Sequence, residues 1–265
     1  LKELLLKNRW NVLLVLLIFI GTFVFFAVAN PLVVWDGDDW VNLSYMRKPF
    51  PYWKQWNPTK LLPEIGMPFA GYVAAYIVNP VVQDYIASIT YVSAFLTALG
   101  ISVFSLLAGL YVCKLVELPR QRAGIFALIL TLLSFLIFKK SQYDNTFLFF
   151  AGNLTCYYHY VFPLLVNGIT VLTLCLAGDL RTAFHSWSRA RQAGFLLLCW
   201  FSLFSNIMQS VIIATYALSK IVESYVLRSD KRLTLANARA FFLSNRGYFC
   251  WLACGQRRLC GFNGC

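Results

Sequence analysis

The sequence predicts an all-α polytopic membrane protein, a helical bundle of about five to six spans with one interfacial helix and two outer loops. Three observations lead there. Long charge-free apolar runs recur along the chain, and basic residues gather between them. The composition is 59% hydrophobic and only 13% charged over 265 residues, with a mean hydropathy of +0.64. A soluble domain carries about a quarter charged residues, so this chain lacks the polar surface to coat a globule. The net charge of +12 would suggest nucleic acid in a soluble protein. Here the basic residues occupy connectors, where membrane topology requires them, so the expected partner is the lipid bilayer and not nucleic acid.

The first run, Asn11–Val34, has no charged residue over 24 positions, enough for about 36 Å of helix. Lys2, Lys7 and Arg9 precede it, and the run is longer than a signal-peptide core, so it reads as an uncleaved span entered from the cytoplasm. The polar loop Trp35–Pro68 follows. Phe69–Val82, a run of 14 closed by Asn79-Pro80, reads as a helix at or dipping into the outer interface. Tyr85–Val112 is the next span, then Ala123–Phe138 outward and Tyr160–Ala177 back. Ala193–Leu218 reads as a broken hairpin that rises to Phe204, turns at Ser205-Asn206 and descends from Ile207 to Leu227. One unbroken span would instead carry Lys220, Arg228, Lys231 and Arg232 outside. On this reading basic residues are twice as frequent inside, and Asp36, Asp38, Asp39, Glu64, Asp84 and Asp144 fall outside. Acidic residues contribute little to topology, so their outer enrichment points to function.

The first outer loop reads WDGDDWVNLSYMRKPFPYWKQWNPTKLLPEIGMP. Asp36, Asp38 and Asp39 sit where the first span leaves the bilayer, and crowded carboxylates suit a general base or a divalent cation such as Mg or Mn. The plain alternative is a solvated loop whose acids cap the next helix. Trp56 and the other loop aromatics fit either a sugar-stacking platform or an interfacial belt. Lys54 and Lys60 are placed to hold a phosphate or to snorkel, and Glu64, four residues after Lys60, is placed to pair with it. The second outer loop brings Asp144, Asn145, Asn153, Tyr157, Tyr158 and His159 to the same face, with His159 an acid, base or donor. Asn206 and Gln209, in the proposed break, are polar groups suited to a cavity. No P-loop, GxGxxG, HExxH or nucleophile-elbow motif is present in the sequence.

An N-terminal span, an outer loop with Asp38-Asp39, and the pattern W-x2-W-N-P-T-K-x3-E from Trp53 to Glu64 together resemble polytopic GT-C glycosyltransferases. Within that class the chain is most similar to the bacterial and phage glucosyltransferases that modify O-antigen, and FSLFSNIMQSVIIATY (Phe201–Tyr216) is similar to a later part of them. The resemblance implies a GT-C-like fold in the bacterial inner membrane, with the N-terminus cytoplasmic and the loop Trp35–Pro68 periplasmic. It also implies transfer of a sugar, expected to be glucose, from a polyprenyl-phosphate donor to a cell-surface glycan such as O-antigen. Asp38 or Asp39 would then deprotonate the acceptor or help bind a metal, and Lys60, with Lys54, would contact the donor phosphate. Asp36, Trp56, Glu64, Asn145, His159, Asn206 and Gln209 are the expected substrate contacts. The competing expectation is a transporter or flippase for lipid-linked sugars, which would carry ionisable residues at mid-membrane.

Members of that class have more spans than this chain, so residues 1–247 read as an incomplete GT-C-like domain. Residues 248–265 read as a cysteine-rich tail of altered composition. Cys250, Cys254, Cys260 and Cys265 match no paired zinc pattern, and Cys113, Cys156, Cys175 and Cys199 lie in or beside apolar runs as small hydrophobes.

Overall fold

The computed structural model describes residues 9–48, 58–139, 145–178 and 180–229. Among them the chain is helical, apart from a two-residue antiparallel ladder between β1 (Phe138–Lys139) and β2 (Asn145–Thr146). The first helix, α1 (Arg9–Val24), ends in a π-helical turn at Phe25–Ala29 and is followed by the short α2 (Gly37–Ser44). Then come α3 (Pro63–Val73, continued through Ala74–Val78 and Asn79–Val82), α4 (Tyr85–Leu115) and α5 (Ala123–Ser134). The chain continues with α6 (Leu154–Ala177, with a π turn at Tyr157–Val161), α7 (Leu180–Ser186), α8 (Arg189–Leu203) and α9 (Ile207–Ser229).

Four of these helices, α1, α3, α4 and α6, are long and apolar enough to cross a membrane. That is fewer than the five to six expected, and α5 accounts for part of the difference. It stops at Ser134 after 12 residues, about 18 Å, because Phe135 turns out of the helix. Its ring joins those of Phe25, Phe26 and Phe147 in a cluster with centroids 5.1–6.3 Å apart. Two other helices begin earlier than their apolar runs. α3 starts at Pro63, six residues before Phe69, and α6 starts at Leu154, six before Tyr160. In both, polar residues of the first turn are held by partners from elsewhere, which an apolar run does not reveal.

The bundle buries small polar residues within an apolar core and exposes an apolar surface. On α1, Asn11, Ile18 and Thr22 are buried while Leu13, Leu16, Leu17, Ile20 and Val24 are exposed. So broad an exposed apolar stripe suits lipid and not water. The buried side of the central helix α4 is rich in small residues: Ser88, Ser93, Ala94, Thr97, Ala98, Ser102, Ser105 and Gly109. Small residues let backbones approach closely where lipid supplies no hydrophobic drive between helices. Several of their hydroxyls bond within the protein: Thr97 donates to the Ser93 carbonyl at 2.6 Å, and Thr131 of α5 to Ser105 at 2.8 Å.

Contacts also fix the directions of the helices. At one end Asn11 donates to the Arg120 carbonyl and accepts from the Gly124 amide, both at 2.9 Å, tying the start of α1 to the start of α5. Near the other, Ser93 meets Tyr158, then Gly100 lies against Leu165 and Gly168 against Phe104. Lys114 caps the Cys175 and Leu176 carbonyls at 2.9 and 3.2 Å, so α4 and α6 run parallel. Trp40 of α2 stacks on Tyr85 at the start of α4 with centroids 6.3 Å apart. The chain between α1 and α4 therefore leaves and re-enters the bundle at one end. α3 sits there, with Gly66 against Phe162 and Tyr158 and Gly71 against Leu43 and Tyr85. The segment expected to lie at the interface thus belongs to a longer helix, Pro63–Val82, that is itself long and apolar enough to cross a membrane.

The break near Ser205-Asn206 falls where the sequence places it, and its backbone and side-chain polar groups are satisfied inside the protein. Phe204 O accepts from Leu62 N at 3.0 Å, Ser205 and Ser202 bond Asn167 at 2.9 and 2.8 Å, and Asn206 donates to His159 O at 2.9 Å. Non-helical backbone at membrane depth requires such internal partners.

The α4–α5 approach gives a direct test. A Cβ on Gly109 would stand 2.2 Å from Ala123 O and 3.0 Å from Ala127 N, whereas one on Gly21 meets nothing within 4 Å. Gly109→Ala is expected to destabilise the protein by about 1–3 kcal/mol through overpacking. Gly21→Ala is expected to be neutral or to stabilise by up to about 1 kcal/mol. Thermal unfolding in detergent should separate the two variants, and equal melting would contradict the close crossing.

Candidate functional site

The end of the bundle that holds α2, α3 and the starts of α4 and α6 gathers most of the described residues expected to act. Its framework is a capping box. Asp36 is the N-cap of α2 and accepts from Asp39 N at 3.1 Å, while the Asp39 carboxylate reaches back to the Trp35 and Asp36 amides at 2.7 and 3.4 Å. The two remaining oxygen positions cross to the second outer loop. Asp39 Oδ1 accepts from Thr155 N at 2.6 Å and Asp36 Oδ2 from Asn153 Nδ2 at 2.7 Å. Asn153 is itself the N-cap of α6, accepting from Cys156 N at 2.7 Å. Two carboxylates thus sit against the positive ends of α2 and α6, where backbone N–H groups and the helix dipole both favour negative charge.

The three acids consequently differ. Asp39 is fully buried and accepts three backbone N–H groups, and Asp36 is partly buried. Asp38, in the first turn of α2, is exposed. The expectation that Asp38 and Asp39 share a divalent cation does not fit this donor set. The oxygens of Asp39 are committed to backbone donors, and no group of three or more His, Cys, Asp or Glu converges among the described residues.

Glu64 does not pair with Lys60. Its carboxylate is held by Arg47 Nε, and its carbonyl accepts from Arg47 N at 2.9 Å, so the pair fixes the end of the α2 segment onto the first turn of α3. Lys60 stands exposed in a 3-10 turn (Pro58–Lys60), and its charge and those of Glu64 and Arg47 all act on His159. Sequence spacing could not have found Arg47, because its partner lies 17 residues away across a loop.

His159 lies in the π turn of α6 with Tyr157, Tyr158 and Val161, all buried. Three successive residues cover about 200° of a helix, so all are buried only where neighbours surround it. Here α3, α4 and the α8–α9 break do so. His159 Nδ1 donates to Thr155 O at 2.9 Å, leaving Nε2 as the acceptor of the neutral ring. Tyr158 bonds Ser93 at 3.1 Å, and the Tyr157 hydroxyl is buried without a partner among the described residues. Both tyrosines are core residues of the bundle and not members of an exposed loop face.

Asn206 holds His159 O and accepts from Met208 N at 3.0 Å. Gln209, in the first turn of α9, has a buried carboxamide oxygen with no donor among the described residues. Lys54, Trp56 and Asp144 lie outside the described residues, as do Cys250, Cys254, Cys260 and Cys265. Asn145 lies in β2, its side chain outside the description. Cys113, Cys156, Cys175 and Cys199 are free thiols, buried or half-buried.

No protein-family profile, no curated protein and no solved structure matches the chain. The class that the fold and this end of the bundle define is a helical protein with four helices apolar enough to cross a membrane and a polar assembly at one end.

The unequal roles of the acids can be measured on stability alone. Asp39→Ala strands three backbone N–H groups, each costing about 1–3 kcal/mol when buried and unpaired, and is expected to lower stability by several kcal/mol. Asp38→Ala removes one exposed first-turn charge and is expected to cost less than about 1 kcal/mol. Thermal unfolding of both variants in the same detergent checks the order, and an equal loss would remove Asp39 from its anchoring role.

Proposed function

We propose that this chain is a membrane glycosyltransferase that takes its sugar from a polyprenyl-phosphate donor at the acid-bearing end of the bundle. The observation that carries the reading is the convergence of four separate segments at one membrane-proximal end: Asp38 on α2, Lys60 before α3, His159 on α6 and Gln209 on α9. They are held by Asp36–Asn153, Asp39–Thr155, Arg47–Glu64 and Asn206–His159. A lipid-linked donor brings its phosphate to the membrane surface, so no nucleotide pocket is needed.

Two of these groups have definite tasks. Lys60 neutralises charge on the donor phosphate, as an ammonium does best where water is partly excluded. The acceptor hydroxyl oxygen bonds to the anomeric carbon, its proton passes to the exposed Asp38 carboxylate, and the sugar–phosphate bond breaks to release polyprenyl phosphate. Asp39 and Asp36 position α2 and are not the base. The acceptor is a cell-surface glycan such as O-antigen and the sugar is glucose.

The topology belongs to the same proposal. The opposite end of the bundle carries Lys114, Arg120, Arg122 and Lys220, so it faces the cytoplasm and Asp38 faces the periplasm of a bacterial inner membrane. Support against a transporter comes from the buried groups. The buried ionisable side chains among the described residues include Asp39, Glu64 and His159, all at the acid-bearing end. The polar groups buried deeper along the helices are hydroxyls and the amide of Asn167.

Membranes containing the protein, given a polyprenyl-phosphate glucose donor and a lipopolysaccharide acceptor, provide the assay. Asp38→Asn is expected to lower kcat by about 100-fold or more with little change in expression or melting, the range of a lost general base. Lys60→Ala is expected to weaken transfer by about tenfold or more through lost charge-assisted binding. Wild-type transfer in Asp38→Asn would remove the base assignment, and no transfer by the wild-type protein would remove the reading.

A further inference from the structure

A second site lies at the opposite end of the bundle, independent of the reading above. There α6 and α9 run side by side and do not close. Val171, Leu174 and Gly178 on α6 face Ile212, Thr215 and Ser219 on α9 across a partly open cavity of about 290 Å³. Tyr111 and Tyr216 complete its wall and Lys220 stands at its edge.

The charge around this cavity is positive in excess. Arg120 and Lys220 both act electrostatically on Lys114. The acid paired with them is Glu223, at 2.8 Å from Lys220. Lys114 spends its ammonium on the Cys175 and Leu176 carbonyls, which offsets the negative dipole end of α6 that would repel an anion. The Lys220 side chain is 40% exposed, and an ammonium has three donors, so its pairing with Glu223 leaves donors for a ligand. Gly178 keeps the rim low. Its φ is +70°, and a Cβ there would stand 3.8 Å from Lys114 Nζ.

We propose that this cavity binds an anionic phospholipid, with the headgroup phosphate on Lys220 and the first part of an acyl chain along Leu174 and Ile212. Size, polarity and position agree. About 290 Å³ is at the low end of ligand sites, too small for a whole lipid but adequate for a headgroup and the chain segment beside it. The remaining chain continues into the bilayer through the open side. Tyrosines and lysines between helix ends are the chemistry that basic inter-helical pockets use for acidic headgroups. A free phosphate would share the contact to Lys220 but gain nothing from the apolar wall.

The test uses the full chain in neutral detergent, with native mass spectrometry for lipid retention and thermal unfolding for stabilisation. The probes are phosphatidylglycerol, phosphatidylcholine and inorganic phosphate. Expected is selective retention of and stabilisation by phosphatidylglycerol, with retention about tenfold weaker in Lys220→Gln, as for loss of one charge-assisted hydrogen bond. Thr215→Trp, at an exposed wall position, fills the cavity with Lys220 intact and is expected to lower retention similarly. It decides the matter if Lys220→Gln does not fold. Equal retention of the two lipids by wild-type protein, or undiminished retention in a folded variant, overturns the proposal. Stabilisation by inorganic phosphate equal to that by phosphatidylglycerol overturns the lipid assignment in favour of a free-phosphate site.

Discussion

The carboxylate of Asp39 joins two helix starts that lie 116 residues apart in sequence. It accepts the amides of Trp35 and Asp36 at the entry to α2 and the amide of Thr155 at the entry to α6. A fully buried carboxylate is costly unless donors surround it, and here the donors are N–H groups that have no partner within their own helices. The arrangement satisfies acid and helix ends together. Asp36 and Asn153 repeat the logic one step further out, so the two outer loops are one structure. Placement of Asp38, Lys60 and His159 depends on that joint.

Below the joint, four helices are apolar enough to cross a membrane, where no water is present to satisfy backbone groups. Every backbone group at membrane depth needs an internal partner. Straight helices supply it for most of the chain. At the break between α8 and α9, Leu62 N donates to the Phe204 carbonyl, while the Ser205 hydroxyl accepts from Asn167 and the Asn206 amide donates to the His159 carbonyl. The amide of Asn206 fixes the backbone of His159, while Gln209, one turn on, has a buried carboxamide oxygen with no donor among the described residues.

The two ends of the bundle are chemically opposed. Most of the described acids, with Arg47, Lys48 and Lys60, occupy one, and Lys114, Arg120, Arg122 and Lys220 with a partly open cavity occupy the other. The division follows from direction: α4, α6 and α9 run parallel, so their N-terminal ends coincide at the acids and the C-terminal ends of α4 and α6 coincide at the cations, as helix dipoles favour.

The sequence by itself determined the elements whose signal is local. A charge-free run long enough to span defines α1, small and apolar residues define α4, and a polar pair in an apolar run marks the break at Ser205-Asn206. Three acids beside two tryptophans mark the loop whose carboxylates join α2 to α6. Tertiary structure decided what each acid does. Spacing cannot distinguish Asp38, left exposed, from Asp39, enclosed by amides of a segment that the sequence places far away. The partner of Glu64 was read as Lys60 because i+4 is the only neighbour a sequence offers, whereas the fold supplies Arg47. The ends of α3 and α6 were read late for the same reason, since their first-turn polar groups are satisfied by contacts that exist only after folding. The outer loop on which the sequence reading centred thus kept its place, but its acids divide into an anchor and one exposed carboxylate because hydrogen-bond partners are a property of three dimensions.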